Sequence, residues 1–173
     1  MKLKKIICWP PLLGGIGAGV TIGILAYITF ESILAGTTYG LWLAASFGSS
    51  VVVVFGYPDN EFAQPKNVLF GHLLCALIGI IFVTLFKISQ DRTIFFLAIG
   101  LAVGLSVMLM MAFKITHPPA GGNTIVVMLA QDSFQFLIFP IMVGAVTIII
   151  GGIIYNRFIL KKKYPLKWFK KNF

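Results

Sequence analysis

His117 is followed by Pro118 and Pro119 and stands between two of the longest uncharged runs of the chain. An imidazole titrates near neutral pH, so it can donate to an anion or relay a proton. Its other reading is to cap the preceding helix or bond a nearby carbonyl. Neither proline carries an N–H, which suits the first turn of a helix and stops the preceding helix from continuing. The amides of Gly121, Gly122 and Asn123 would then point back toward the break. Helix N-termini gather unsatisfied N–H groups and positive dipole, which favours a bound anion. Asn123 and Thr124 add side-chain donors, or else hydrogen-bond helix to helix.

The matching place upstream is Ser46-Phe47-Gly48-Ser49-Ser50, where Gly48, Ser49 and Ser50 again combine small size with donors. Small residues at a helix contact are the competing reading. Gln64 and Pro65 then precede Lys66 and Asn67. Pro65 biases the residue before it toward extended backbone, so a helix is expected to start near Lys66. A lysine in a first turn opposes the helix dipole, unless an anion or a lipid headgroup lies near. His72 falls about one and a half turns into that helix, where a lone polar group needs a partner. Packing is an equal reading for it.

Other chemistries find less support. Met108, Met110, Met111 and Met128 have thioethers that suit Cu(I), but no cysteine pair or histidine cluster accompanies them. Cys8 and Cys75 form no ligand spacing and read as buried free thiols. Glu31, Asp59, Glu61, Asp91 and Asp132 fall at the ends of apolar runs, and no Ser/His/Asp or HExxH constellation is present. An enzyme, a cofactor and a metal are therefore not expected.

The elements that must hold these residues are membrane helices. The chain has 173 residues, 58% hydrophobic and 11% charged, with mean hydropathy +0.96. A soluble domain carries about 25% charged residues. Residues 6–30, 32–58, 67–86, 93–113, 115–131 and 133–156 lack charge, and a crossing needs roughly 20 apolar residues. Helices are expected over about 12–31, 39–57, 67–88, 93–114, 119–131 and 134–159, because only helices and closed barrels satisfy the backbone in lipid. The N-terminus reads as a retained first span, not a cleaved signal.

The formal net charge is +9. Lys2, Lys4 and Lys5 precede the first span, and a basic tail over 160–173 follows the last. Basic flanks favour the cytoplasmic side, so both termini are expected there and the crossing number is even. The tail is expected to meet anionic lipid, with no nucleic-acid partner. An offset of 73 residues aligns Gly48 with Gly121, Val54 with Val127, Asp59 with Asp132, Gly71 with Gly144 and Gly79 with Gly152. The expected fold is an all-α membrane protein of about six helical segments in one transmembrane domain over 1–173. Two three-element repeats, about 12–88 and 93–159, are expected to be inverted. If the middle elements instead dip in and return, four helices cross and the halves are parallel.

The segments ITHPPAGGNTIVVML and SFGSSVVVVFGYPDNEFAQPKNVLFGHLLCALIG resemble the HPP family of integral membrane proteins, named for the His-Pro-Pro step. The resemblance covers about residues 12–158. Two differences stand out: Pro65-Lys66 where the family usually has Pro-Arg, and Gly122-Asn123-Thr124 where many relatives read Ala-Thr-Ala or Ala-Asn. Plant relatives are associated with chloroplast nitrite transport, so the resemblance implies a small-anion transporter or channel, nitrite first. No Arg lies inside the spans, which points to weak amide coordination, not a bidentate clamp. The amides near Gly121 and Gly122, with Asn123 and Ser49/Ser50 opposite, would hold the anion, and His117 would supply a proton or positive charge. A homo-oligomer in a cell (cytoplasmic) membrane is expected. The alternative is a non-transporting scaffold that packs with partner proteins.

Overall fold

The computed structural model describes residues 9–34, 44–86, 92–130 and 134–166. Cys8, the lysines before it, the expected start of the second helix over 39–43, Asp91, Asp132 and residues 167–173 lie outside that set. Six α-helices, and no strand, occur among the described residues: α1 Trp9–Leu34, α2 Ala44–Gly56, α3 Pro65–Phe86, α4 Arg92–Ala112, α5 Gly121–Ala130 and α6 Val143–Ile153. Four helical stretches are long and apolar enough to cross a membrane: Pro11–Glu31, Pro65–Leu85, Ile94–Ala112 and Leu137–Ile159. The all-α membrane fold expected from composition is therefore met.

Local chemistry sets the ends of these helices. Prolines, which need no N–H partner, occupy the first turn of α1 and open α3. Gln64 before Pro65 is extended, at φ −71° and ψ 144°. At the end of α4, Lys114 N–H bonds the Met111 carbonyl and Ile115 N–H the Met110 carbonyl, at 3.1 and 3.0 Å. That is a Schellman motif with Lys114 at φ 53° in the left-handed position that glycine usually takes. The last helix departs from the unbroken 134–159 expected. Phe139 has φ −131° and ψ 110°, and a wide turn over Leu137–Met142 leads into α6. Pro140 explains the break, because its ring and missing N–H cannot continue a helix.

The short helices lie among the long ones. α1 packs on α2 and α6, and α4 packs on α5 and α3. Each short helix also packs on the long helix of the other half, α2 on α6 and α5 on α3. Phe47 and Val54 of α2 face Gly144 and Gly152 of α6, while Val127 of α5 faces Gly79 of α3. A Cβ on Gly79 would lie 3.0 Å from Val127 Cβ and from the Thr124 carbonyl, so any other residue there would press the two helices apart by a few tenths of an ångström. In both pairs the contacting residues ascend together, so the helices run in the same direction.

One end of the bundle is fixed by three contacts. Tyr164, beyond α6, donates to the Ala63 carbonyl at 2.7 Å. His117 Nδ1 lies 2.7 Å from the Phe62 carbonyl. A Cβ on Gly14, near the start of α1, would lie 3.6 Å from the Phe55 carbonyl at the end of α2. The start of α1, the α2–α3 link, the α4–α5 link and the end of α6 thus share one side. α2 accordingly runs toward that end and α5 away from it.

Candidate functional site

Four polar side chains from four parts of the chain meet in the interior. Ser50 comes from α2, His72 from α3, His117 from the α4–α5 link and Asn123 from α5. Ser50, His72 and His117 are fully buried and Asn123 is 2% exposed. Ser50 Oγ lies 2.9 Å from Nε2 of His72 and 2.9 Å from Nε2 of His117. Asn123 Nδ2 is 2.7 Å from His72 Nδ1. The two imidazole centroids are 5.1 Å apart, and Phe47 lies 4.7 Å from His72. Among the described residues, no carboxylate, ammonium or guanidinium bonds this cluster. Buried polar groups in a dry interior are costly unless paired, and here each has its partner.

The position of His117 is built from three sides. Gly71 lets the link run against α3, because a Cβ there would come 2.9 Å from His117 Cβ. Asn67 Nδ2 donates to the Thr116 carbonyl at 3.0 Å. The Phe62 carbonyl accepts from His117 Nδ1. That carbonyl belongs to the 58–64 link, which Gln64 braces by donating to the carbonyls of Pro58 and Asn60, both at 2.9 Å. Gln64 Oε1 accepts from Leu166 N–H at 2.8 Å, beside the Tyr164–Ala63 bond. Burial pushes the Tyr164 phenol well above its ordinary range, so it stays a neutral donor.

A second polar line adjoins the first. Thr124 donates to the Cys75 carbonyl at 2.9 Å, and Ser106 of α4 lies 2.8 Å from the Thr124 hydroxyl. Cys75 Sγ bonds Met110 Sδ at 3.6 Å. Met128 is buried beside Ala98 and Ala102, whereas Met108 and Met111 are exposed, so the four methionines do not converge.

Of the residues singled out in sequence, His117, Asn123, His72 and Ser50 come together. Thr124 and Asn67 sit one contact away. Gln64 braces the link, and Lys66 is half-buried in the first turn of α3. Ser49 is exposed, so it does not stand opposite Asn123. Pro118 and Pro119 form a tight 3₁₀ turn with Ala120. Gly48 and Gly121 have open space where a Cβ would be, and a Cβ on Gly122 would touch Ser46 Cβ at 3.8 Å. Of the three amides expected to face the break, that of Gly121 is otherwise engaged, donating to the Pro118 and Pro119 carbonyls, and Ala120 N–H donates to the His117 carbonyl. The prolines have no N–H at all, so this helix start presents side chains more than amides. Ser106, Thr116 and Tyr164 were not singled out as site residues in sequence. A lone hydroxyl amid the α4 apolar run was the available signal for Ser106.

A sequence profile of the HPP transmembrane region matches residues 5–165. The chain belongs to the HPP family. Similar chains include two transmembrane proteins of Dictyostelium discoideum. One is 36% identical over 131 residues, covering 73% of this chain and 45% of the relative. The other is 31% identical over 152 residues, covering 85% and 48%. The chain thus spans about half the length of these relatives. No solved structure matches it.

Proposed function

We propose that this HPP-family membrane protein transports a small inorganic anion, nitrite first, in company with a proton. The observation that carries the reading is the buried cluster of two histidines, a serine and an asparagine with no fixed charge. A bare anion at membrane depth needs a counter-charge. Lys66 and Arg157 lie near the ends of their helices and are not partners of the cluster. A proton on His72 or His117 is therefore the available positive charge, and an anion arriving with a proton brings it. Nitrite itself rests on the plant relatives named above.

The same proposal includes the architecture. Exchanging α1 with α4, α2 with α5 and α3 with α6 maps each packing pair onto another. The offset equivalents Gly79 and Gly152 receive the offset equivalents Val127 and Val54. Together with the shared end described above, this supports two inverted repeats. Exposed Lys161, Lys162 and Lys163 after α6 support a cytoplasmic placement of that end, in a cell membrane. A homo-oligomer would cover the outward apolar face of α1, where Ile16, Val20 and Ile24 are more than half exposed.

The test is nitrite uptake into proteoliposomes with and without an imposed pH gradient. Saturable uptake that the gradient accelerates is expected. Uptake equal to that of empty vesicles, with folded protein present, would remove nitrite and leave other small anions to be screened. A scaffold role would follow only if none moved.

A further inference from the structure

The hydrogen-bond partners assign the proton positions of the two neutral histidines. A carbonyl only accepts, so His117 Nδ1, at 2.7 Å from the Phe62 carbonyl, bears a proton. The Asn123 amide nitrogen only donates, so His72 Nδ1 is bare. The same nitrogen lies 3.4 Å from the His72 carbonyl, a contact that favours this amide orientation while both histidines are neutral. A neutral His72 therefore keeps its proton on Nε2, and a neutral His117 has Nε2 bare. Both Nε2 atoms stand 2.9 Å from Ser50 Oγ. Ser50 accepts from one histidine and donates to the other. Its single proton has a second claimant, because the Ser46 carbonyl also lies 2.9 Å away.

We propose that Ser50 passes a proton between His72 and His117 and that its hydroxyl rotates between His117 and the Ser46 carbonyl as it does so. A proton from the aqueous phase first adds to His72 Nδ1, with the Asn123 amide turning so that its oxygen accepts. The His72 Nε2–H bond breaks as a new Ser50 O–H bond forms. The former Ser50 O–H bond breaks as a His117 Nε2–H bond forms. No electrons are transferred to or from the chain, and one positive charge moves from His72 to His117. Ser50 then accepts from His117 and turns its proton to the Ser46 carbonyl. That carbonyl, one helical turn back on α2, parks the hydroxyl in the protonated state.

Few other titratable groups bear on this pair. Cys75 lies on α3 with its thiol turned to Met110. Asp59 and Glu61 of the α2–α3 link and Lys114 of the α4–α5 link are exposed. The described parts of α2 and α5 bring none.

The inference rests on the transport reading only for what the proton accompanies, not for its route. Nitrogen-15 histidine spectra of the protein in liposomes test the route without any flux. Near neutral pH, His117 is expected as the Nδ1–H tautomer and His72 as the Nε2–H tautomer, with a joint titration on acidification. Two histidines in the same tautomer, or titrating independently, would overturn the relay. In Ser50→Ala the titrations are expected to separate, and gradient-driven nitrite uptake to fall roughly a hundredfold. Ser50→Thr, which keeps the hydroxyl, is expected to recover uptake to within about tenfold of wild type. Should wild type carry no nitrite, the spectra alone decide. Unchanged gradient-driven uptake in Ser50→Ala also overturns the proposal.

Discussion

Two helix pairs in this molecule each run in one direction and meet at a glycine, and they differ in chemistry. Where α5 lies along α3, Gly79 admits Val127, and the rest of the contact is polar: Asn123 on His72, Thr124 on the Cys75 carbonyl. Where α2 lies along α6, Gly152 admits Val54 and Gly144 admits Phe47, with buried Ala145 and Ile148 beside them. The offset of 73 residues makes Ala145 the counterpart of His72 and Ile148 that of Cys75. The residues named at the apolar crossing cannot titrate, whereas the other crossing brings His72 to the contact, with His117 on the link that precedes α5. Each crossing is closed at a glycine, so the polar chemistry also sits within a close-packed contact.

The comparison can be broken most directly at the polar crossing. His117→Ala is expected to lower nitrite uptake roughly a hundredfold in protein that still elutes as a single folded species. An equal loss from Val54→Ala, against Gly152 at the apolar crossing, would remove the distinction. Next in size, Gly79→Leu and Gly152→Leu should each destabilise by at least about 1–3 kcal/mol through overpacking. Thermal unfolding in detergent reads both, and a large gap between them would show that the crossings are not equivalent in packing. Thr124→Val deprives the Cys75 carbonyl of its donor and is expected to cost about 1–2 kcal/mol while uptake persists, which separates stability from transport at the same crossing. The smallest effect belongs to Tyr164→Phe, which loses one bond to Ala63 at about 1 kcal/mol. It should appear as faster proteolysis in the 58–64 link before any change in melting.

Much of the framework was legible in the chain. Uncharged runs marked the long helices, and Pro65 and Pro118-Pro119 marked where two helices begin, because proline restricts its own φ and removes a donor. Of the offset glycines, Gly71, Gly79, Gly144 and Gly152 fall at close approaches, while Gly48 and Gly121 have open space. The helix over 134–159 was read through Pro140, although that residue carries the same signal. The site was legible residue by residue but not as a cluster. His72, Ser50, His117 and Asn123 each stood out as polar groups in apolar surroundings, yet nothing in their spacing says that both Nε2 atoms converge on one hydroxyl. That convergence depends on α5 running along α3 with Gly71 and Gly79 at the contact. The amide of Gly121 was misjudged for a related reason: whether a helix start is free or closed on itself depends on the turn before it, and a 3₁₀ turn closes it.

The brace from Tyr164 and Leu166 to Ala63 and Gln64 has a consequence for the order in which the protein is made. Its two sides lie about a hundred residues apart in sequence. A ribosome releases α2, α3 and the 58–64 link long before residue 164. While the intervening helices enter the membrane, the Phe62 carbonyl that orients His117 has neither brace. The clasp on the 58–64 link is therefore added late in biogenesis, after α6 and the residues that follow it have been made. Until then the growing chain holds its polar interior without the final clasp.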